Sequence, residues 1–167
     1  MSAAFPSPFL GALHADGPAP DRADKMKLYG WLIGRWEMDA TVHNDDGAQH
    51  KAQGTIHFGW VLDGRAIQDV WVLPGFFHGT TLRVYDPSLD AWHILWSDPL
   101  KQYFTRQLGR ARGSDIVQEG QNAAGETLRW SFTDITPDRF RWLGEISKDG
   151  GGTWRLQAEF QVRRIKP

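Results

Sequence analysis

Cysteine is absent from this chain of 167 residues. That absence excludes disulfides, thiolate nucleophiles and Cys-ligated zinc together. An excess of positive charge is missing as well: 19 basic against 20 acidic residues leave a formal net charge of -1. Without the basic footprint that a phosphate backbone demands, nucleic acid is not an expected partner. No apolar run is long enough for a transmembrane helix. The stretch from Met1 to Pro20 has no basic segment and is broken by Pro6, Pro8, Pro18 and Pro20. Neither a membrane span nor a signal peptide is expected, and the cytoplasm is the default location. The common enzyme motifs are lacking too. Gly109-Arg110-Ala111-Arg112-Gly113 is without the strand-to-helix context of a phosphate loop, and no nucleophile elbow or zinc-binding His pair occurs.

What the chain has in abundance is aromatic: nine Trp and nine Phe, against three Tyr and three Met. The length fits one domain able to bury a core without staples. Residues 1–23 are rich in Ala, Pro, Gly and Asp with no period, the composition of a flexible tail or an arm laid over the surface, so the fold is placed in 24–167. Asp24 is positioned to cap a short helix over 25–33, whose Leu28, Trp31 and Leu32 share a face.

After Gly34 the period changes from 3.6 to 2. Trp36, Met38, Ala40 and Val42 point one way, and Arg35, Glu37, Asp39, Thr41 and His43 the other. Ile56, Phe58, Trp60 and Leu62 repeat the pattern before Asp63-Gly64, and a strand over 66–73 returns as the second half of a hairpin. Further strands are expected over 77–85, 91–97, 101–109 and 114–119. The last three carry inward sets of Leu128, Trp130 and Phe132; of Phe140, Trp142 and Ile146; and of Trp154, Leu156, Ala158, Phe160 and Val162. Asp149-Gly150-Gly151-Gly152 reads as a hairpin turn between the final two. Sequential short strands without helical crossovers indicate an all-β, up-and-down antiparallel barrel of about nine or ten strands, which hides its edges by closing. Such a barrel has room for a small ligand.

The stretch Leu32-Ile33-Gly34-Arg35-Trp36-Glu37-Met38, a short helix followed by Gly-x-Trp on the first strand, resembles the opening of calycin barrels, which lipocalins and nitrobindins share. The run from Gly54 to Ala66 and the later Tyr85-Asp86-Pro87 resemble a bacterial family of uncharacterised domains with this barrel, and the likeness spans about residues 26–165. The resemblance implies that Trp36 sits at the closed end of the barrel, covered by a basic side chain from the last strand, Arg163 or Arg164. Nitrobindin-like barrels bind haem through a His on a late strand, but the last His here is His93. No cofactor is therefore expected, and haem is kept only as an alternative without a matching histidine.

Candidate ligand-binding residues are Trp36, Phe58, Trp60, Trp92, Trp96, Trp130 and Trp142, with Trp154 of the same set. Their indoles suit a flat or lipid-like molecule, and filling an ordinary core is the competing explanation. Over 66–73 one phase is Ala66, Gln68, Val70 and Val72 and the other is Ile67, Asp69, Trp71 and Leu73, so either Gln68 or Asp69 points inward. A buried Asp69 needs a partner, Arg83 or Arg106, or becomes the best candidate for acid-base chemistry. His78 and His93 lie on neighbouring strands and, with Asp69 or Glu119, are candidates for a proton relay or metal site. Outward or core-satisfied histidines are the plainer explanation, and His43, His50 and His57 read as surface residues. Tyr103, Arg83 and Arg106 are candidates to orient a polar head group. The leading expectation is a carrier or sensor for a small apolar or aromatic molecule or a fatty acid. The alternatives are a metal-free isomerase, cyclase or hydratase using Asp69, His78 or His93, and a filled interaction barrel forming a homodimer.

Overall fold

The structure, a computed structural model, describes residues 7–167. Its strands are β1 (Gly34–His43), β2 (Gln49–Val61), β3 (Ala66–Leu73), β4 (Phe77–Asp86), β5 (Ala91–Asp98), β6 (Tyr103–Arg112), β7 (Asp115–Gln121), β8 (Thr127–Thr136), β9 (Arg139–Ser147) and β10 (Arg155–Arg164). Every strand pairs antiparallel with its sequence neighbours, and β10 returns to β1, so the sheet closes into a single ten-stranded barrel. The expected up-and-down barrel with a short N-terminal helix is what forms. Period-2 alternation sets its walls: on β4, Gly79, Thr81, Arg83 and Tyr85 are buried while His78 is exposed.

Two inward sets differ from the sequence expectation. β2 ends on buried Val61, and Leu62 beyond it is exposed. The β10–β9 register shifts between Leu156 and Ala158, so Arg155, opposite Ile146, faces the lumen, whereas Leu156, opposite Glu145, faces out. The extra residue of a bulge reverses the phase of everything before it. Trp154 accordingly lies outside, with the Arg129 guanidinium 3.9 Å above its ring.

A plug closes one end. Helix α1 (Pro8–Leu13), started by the Ser7 side chain, precedes a 3-10 turn (Pro20–Arg22) and α2 (Ala23–Gly30). The helix α2 stops before Trp31; its fully buried residues are Met26 and Tyr29, while Leu28 and, just beyond it, Trp31 pack half-buried against the core and Leu32 is buried. Asp24 lies in the first turn and bonds Lys27 at 2.9 Å instead of capping the helix. Tyr29 projects down the barrel to donate its hydroxyl to Gln118 Oε1 at 3.0 Å. It has room because Gly109 faces it, where a Cβ would come within 2.2 Å of the phenol oxygen.

The described part of the N-terminal segment lies along the end of β2. Ala15 donates to the Trp60 carbonyl (2.9 Å), Leu62 to that of Leu13 (3.0 Å) and Ala19 to that of Gly64 (2.9 Å). Gly64 has φ +72°, and a Cβ there would sit 2.2 Å from the Gly17 carbonyl oxygen. Residues 1–6 of the expected tail lie outside the described residues.

Arg164 covers the Trp36 ring at 4.0 Å and donates to the carbonyls of Ile33 (2.9 Å) and Trp31 (2.6 Å), while Arg163 pairs with Glu37 and Asp39 on the outer wall. Arg164→Met keeps the stem but loses the two bonds above, a third from Nε to the Pro137 carbonyl (2.9 Å) and the cation–π contact. It is expected to lower the unfolding free energy by about 2–4 kcal/mol in urea melts.

Two turn carboxylates contribute to the acid limit. The Ser88 hydroxyl and then His93 hold Asp86 down to about 2, and the Thr153 N–H, Ser147 and Thr153 hydroxyls hold Asp149 well below the usual range. A depressed folded pKa contributes stability above the unfolded value that is lost as pH falls through the folded one. The urea midpoint is expected to stay level from pH 7 to about 5 and to fall between about 4 and 2. Asp86→Asn with Asp149→Asn is expected to shrink that fall.

Candidate ligand cavity

Above the plug the barrel is hollow. A cavity of about 440 Å³ opens at the end carrying the β1–β2, β3–β4, β5–β6, β7–β8 and β9–β10 turns, a volume within the range of about 300–1,000 Å³ usual for small-molecule sites. Its wall carries a closed circuit of rings. Centroids are separated by 5.9 Å for Phe77–Trp96, 6.3 Å for Trp96–Trp130, 5.6 Å for Trp130–Trp142, 4.7 Å for Trp142–Phe160 and 6.1 Å for Phe160–Phe77. Trp142 and Phe160 are stacked with 10° between their planes, and Trp71 leans on both at 5.9 and 6.0 Å.

Below this belt the floor is polar. Arg83, 2% exposed, forms an ion pair with Asp69 Oδ2, and Asp69 Oδ1 accepts from the Thr81 N–H at 2.7 Å. The guanidinium is packed among the rings of Tyr29, Phe58 and Phe132, at 5.3, 5.6 and 5.8 Å from their centroids. Among the described residues three buried donors low on the cavity wall, Arg83 Nε, Gln118 Nε2 and Trp71 Nε1, have no hydrogen-bond partner, and neither does Nη1 of Arg155 nearer the mouth. Thr105 and the Gln107 amide are likewise unpartnered nearby on the inner face of β6. Burial pushes the Tyr29 phenol up, and burial followed by the Glu126 charge raises that of Tyr103, so both remain neutral donors.

The structure separates the sequence candidates. Trp96, Trp130, Trp142 and Tyr103 line the cavity, and Asp69 lies just behind Arg83. Trp36 and Trp92 are buried in the closed half with Tyr29 and Phe140, and Phe58 supports Arg83 from beneath. Trp60 packs over Gly30 of α2. Gln68 faces away from Asp69 and bonds the Thr80 hydroxyl at 3.0 Å. On the outer wall, Arg106 donates to His93 Nδ1 (3.2 Å) and His93 Nε2 bonds Asp86 (2.9 Å). His78, opposite Val72, is not brought to His93, which is opposite Val84, and Glu119 pairs with Arg112. Among the described residues no histidine lines the cavity, and no group of three or more metal-ligating side chains forms.

Sequence reasoning passed over Trp71, Thr81, Asp98, Gln118 and Arg155. Their alternation was readable, since Trp71 shares a phase with Asp69, but Asp98-Pro99 reads as a turn and Arg155 sits inside only because of the bulge.

No family model matches the sequence, and no curated protein matches it. Solved structures are similar in shape. The S-type phycobiliprotein lyase CPES of Guillardia theta superposes with a TM-score of 0.64 at 13% identity, over 90% of this chain and 99% of that one. Rv2717c of M. tuberculosis gives 0.59 at 12% identity, over 89% and 99%. The likeness is one of fold. Among the described residues no helix is long and apolar enough to cross a membrane.

Asp69 and Arg83 stand or fall together. Asp69→Asn or Arg83→Met leaves one charge buried alone and is expected to cost about 3–5 kcal/mol, whereas the double change to Asn and Met is expected to cost less than either single one. A double-mutant cycle by urea denaturation measures the coupling.

Proposed function

We propose that this barrel binds a small, largely aromatic or apolar molecule whose buried end carries a hydrogen-bond acceptor, as a carrier or sensor does. The observation that supports it is the ring belt standing directly above three unpartnered donors. A filled core would leave neither the space nor the donors, because a buried donor without a partner costs about 1–3 kcal/mol. An acceptor delivered between Arg83, Gln118 and Trp71 recovers that cost while the belt stacks on the rest of the ligand. Fold alone does not choose between carriage and catalysis, since one protein of this shape is named a lyase. What favours binding is that Asp69, the acid singled out for proton transfer, has both carboxylate oxygens engaged by Arg83 and Thr81.

Native mass spectrometry of freshly purified protein, set beside its denatured mass, tests for a co-purifying molecule. In titrations with the neutral probe N-phenyl-1-naphthylamine, enhanced dye emission with quenched indole emission is expected. Trp142→Ala, which removes the ring stacked on Phe160, is expected to weaken binding about tenfold. A wild-type barrel that leaves the dye unchanged would count against the proposal.

A further inference from the structure

The charges around the cavity cancel in pairs except at Lys101 and Asp98. Arg83 is matched by Asp69, Arg155 by Asp45 at 2.6 Å, and Lys148 faces Glu126 at 3.9 Å. Lys101 is exposed at the mouth, its ammonium 6.0 Å from the Phe76 ring. Asp98 is different. It ends β5, lies opposite Tyr103 in the β5–β6 register and lines the cavity, yet it is only 2% exposed. Its Oδ1 accepts from the Leu100 N–H at 3.1 Å. Among the described residues Oδ2 accepts no hydrogen bond, and the carboxylate has no ion-pair partner.

A carboxylate withdrawn from water without a counter-charge is unfavourable and attracts a cation to the space it faces. The neighbouring belt of Trp96, Trp130 and Trp142 adds to that attraction wherever a ring turns its face to the cation, because the face is the negative side of the ring quadrupole. An anion meets both terms with the wrong sign, and the deeper Arg83 offers it little, since Asp69 already neutralises that guanidinium.

Building on the small-molecule reading above, we infer that the ligand is an organic cation, an amine or quaternary ammonium on an aromatic body. Its charged nitrogen sits beside Asp98 near the mouth, and its acceptor end points down to Arg83 and Gln118. Asp98 then acts as the residue that selects charge, and the belt as a cage for the cation and its ring system.

Three probes of one shape test this: 1-naphthylmethylammonium, neutral 1-naphthylmethanol and anionic 1-naphthoate, each titrated against the full chain by indole quenching at pH 7. The expected order of affinity is cation, then alcohol, then anion, with at least tenfold between the first and last. In Asp98→Asn, whose amide oxygen keeps the Leu100 bond, the cation-to-anion ratio is expected to fall to within about threefold. If that variant does not fold by circular dichroism, the wild-type order alone decides. Equal binding of cation and alcohol, or tighter binding of the anion, would overturn the cation inference and leave the small-molecule reading standing. Failure of all three to bind would remove both.

Discussion

Arg83 can lie inside the barrel only because Asp69 lies beside it. Each ion alone would cost several kcal/mol to take out of water, and together, with the Thr81 N–H on the second carboxylate oxygen, they form a neutral partition across the lumen. Everything on one side of that partition is packed: Tyr29, Phe132, Phe140, Trp36 and Trp92 meet edge to face or tilted beneath it. Everything on the other side is hollow and ringed by aromatics. The pair therefore separates the part of the barrel that stabilises the fold from the part free to hold something else.

The partition also explains how a single short helix closes the barrel. Tyr29 reaches the Gln118 oxygen past Gly109, and its ring forms part of the wall around Arg83. Plug and partition are one assembly, with the helix supplying the rings that a buried guanidinium stacks against.

Much of this was legible in the sequence because period-2 patterning and turn residues are local signals. Asp63-Gly64 and Asp149-Gly150 fall in turns, and the resemblance carried by Gly34-Arg35-Trp36 implies the closed end. The ambiguity between Gln68 and Asp69 could not be resolved locally, since both phases of β3 are apolar apart from that residue; it was the cross-strand Arg83 that drew Asp69 inward. The bulge in β10 carries no compositional mark, so the alternation places Trp154 inside where the structure puts Arg155. Asp98 looked like a turn former, and nothing in its neighbours along the chain announces that the turn tucks its carboxylate into the wall.

Every ladder but one joins strands consecutive in the chain. The exception is the seam between β1 and β10, where Trp36 lies opposite Arg164. Loop-closure entropy makes long-range pairing the slow event in a chain otherwise built from local hairpins. The meander can zip progressively from either end, but the last two edges are covered only when the termini of the domain find each other. Arg164 locks onto Trp36 at that same seam, so the one long-range ladder of the barrel and the seal of its closed end share the same two residues.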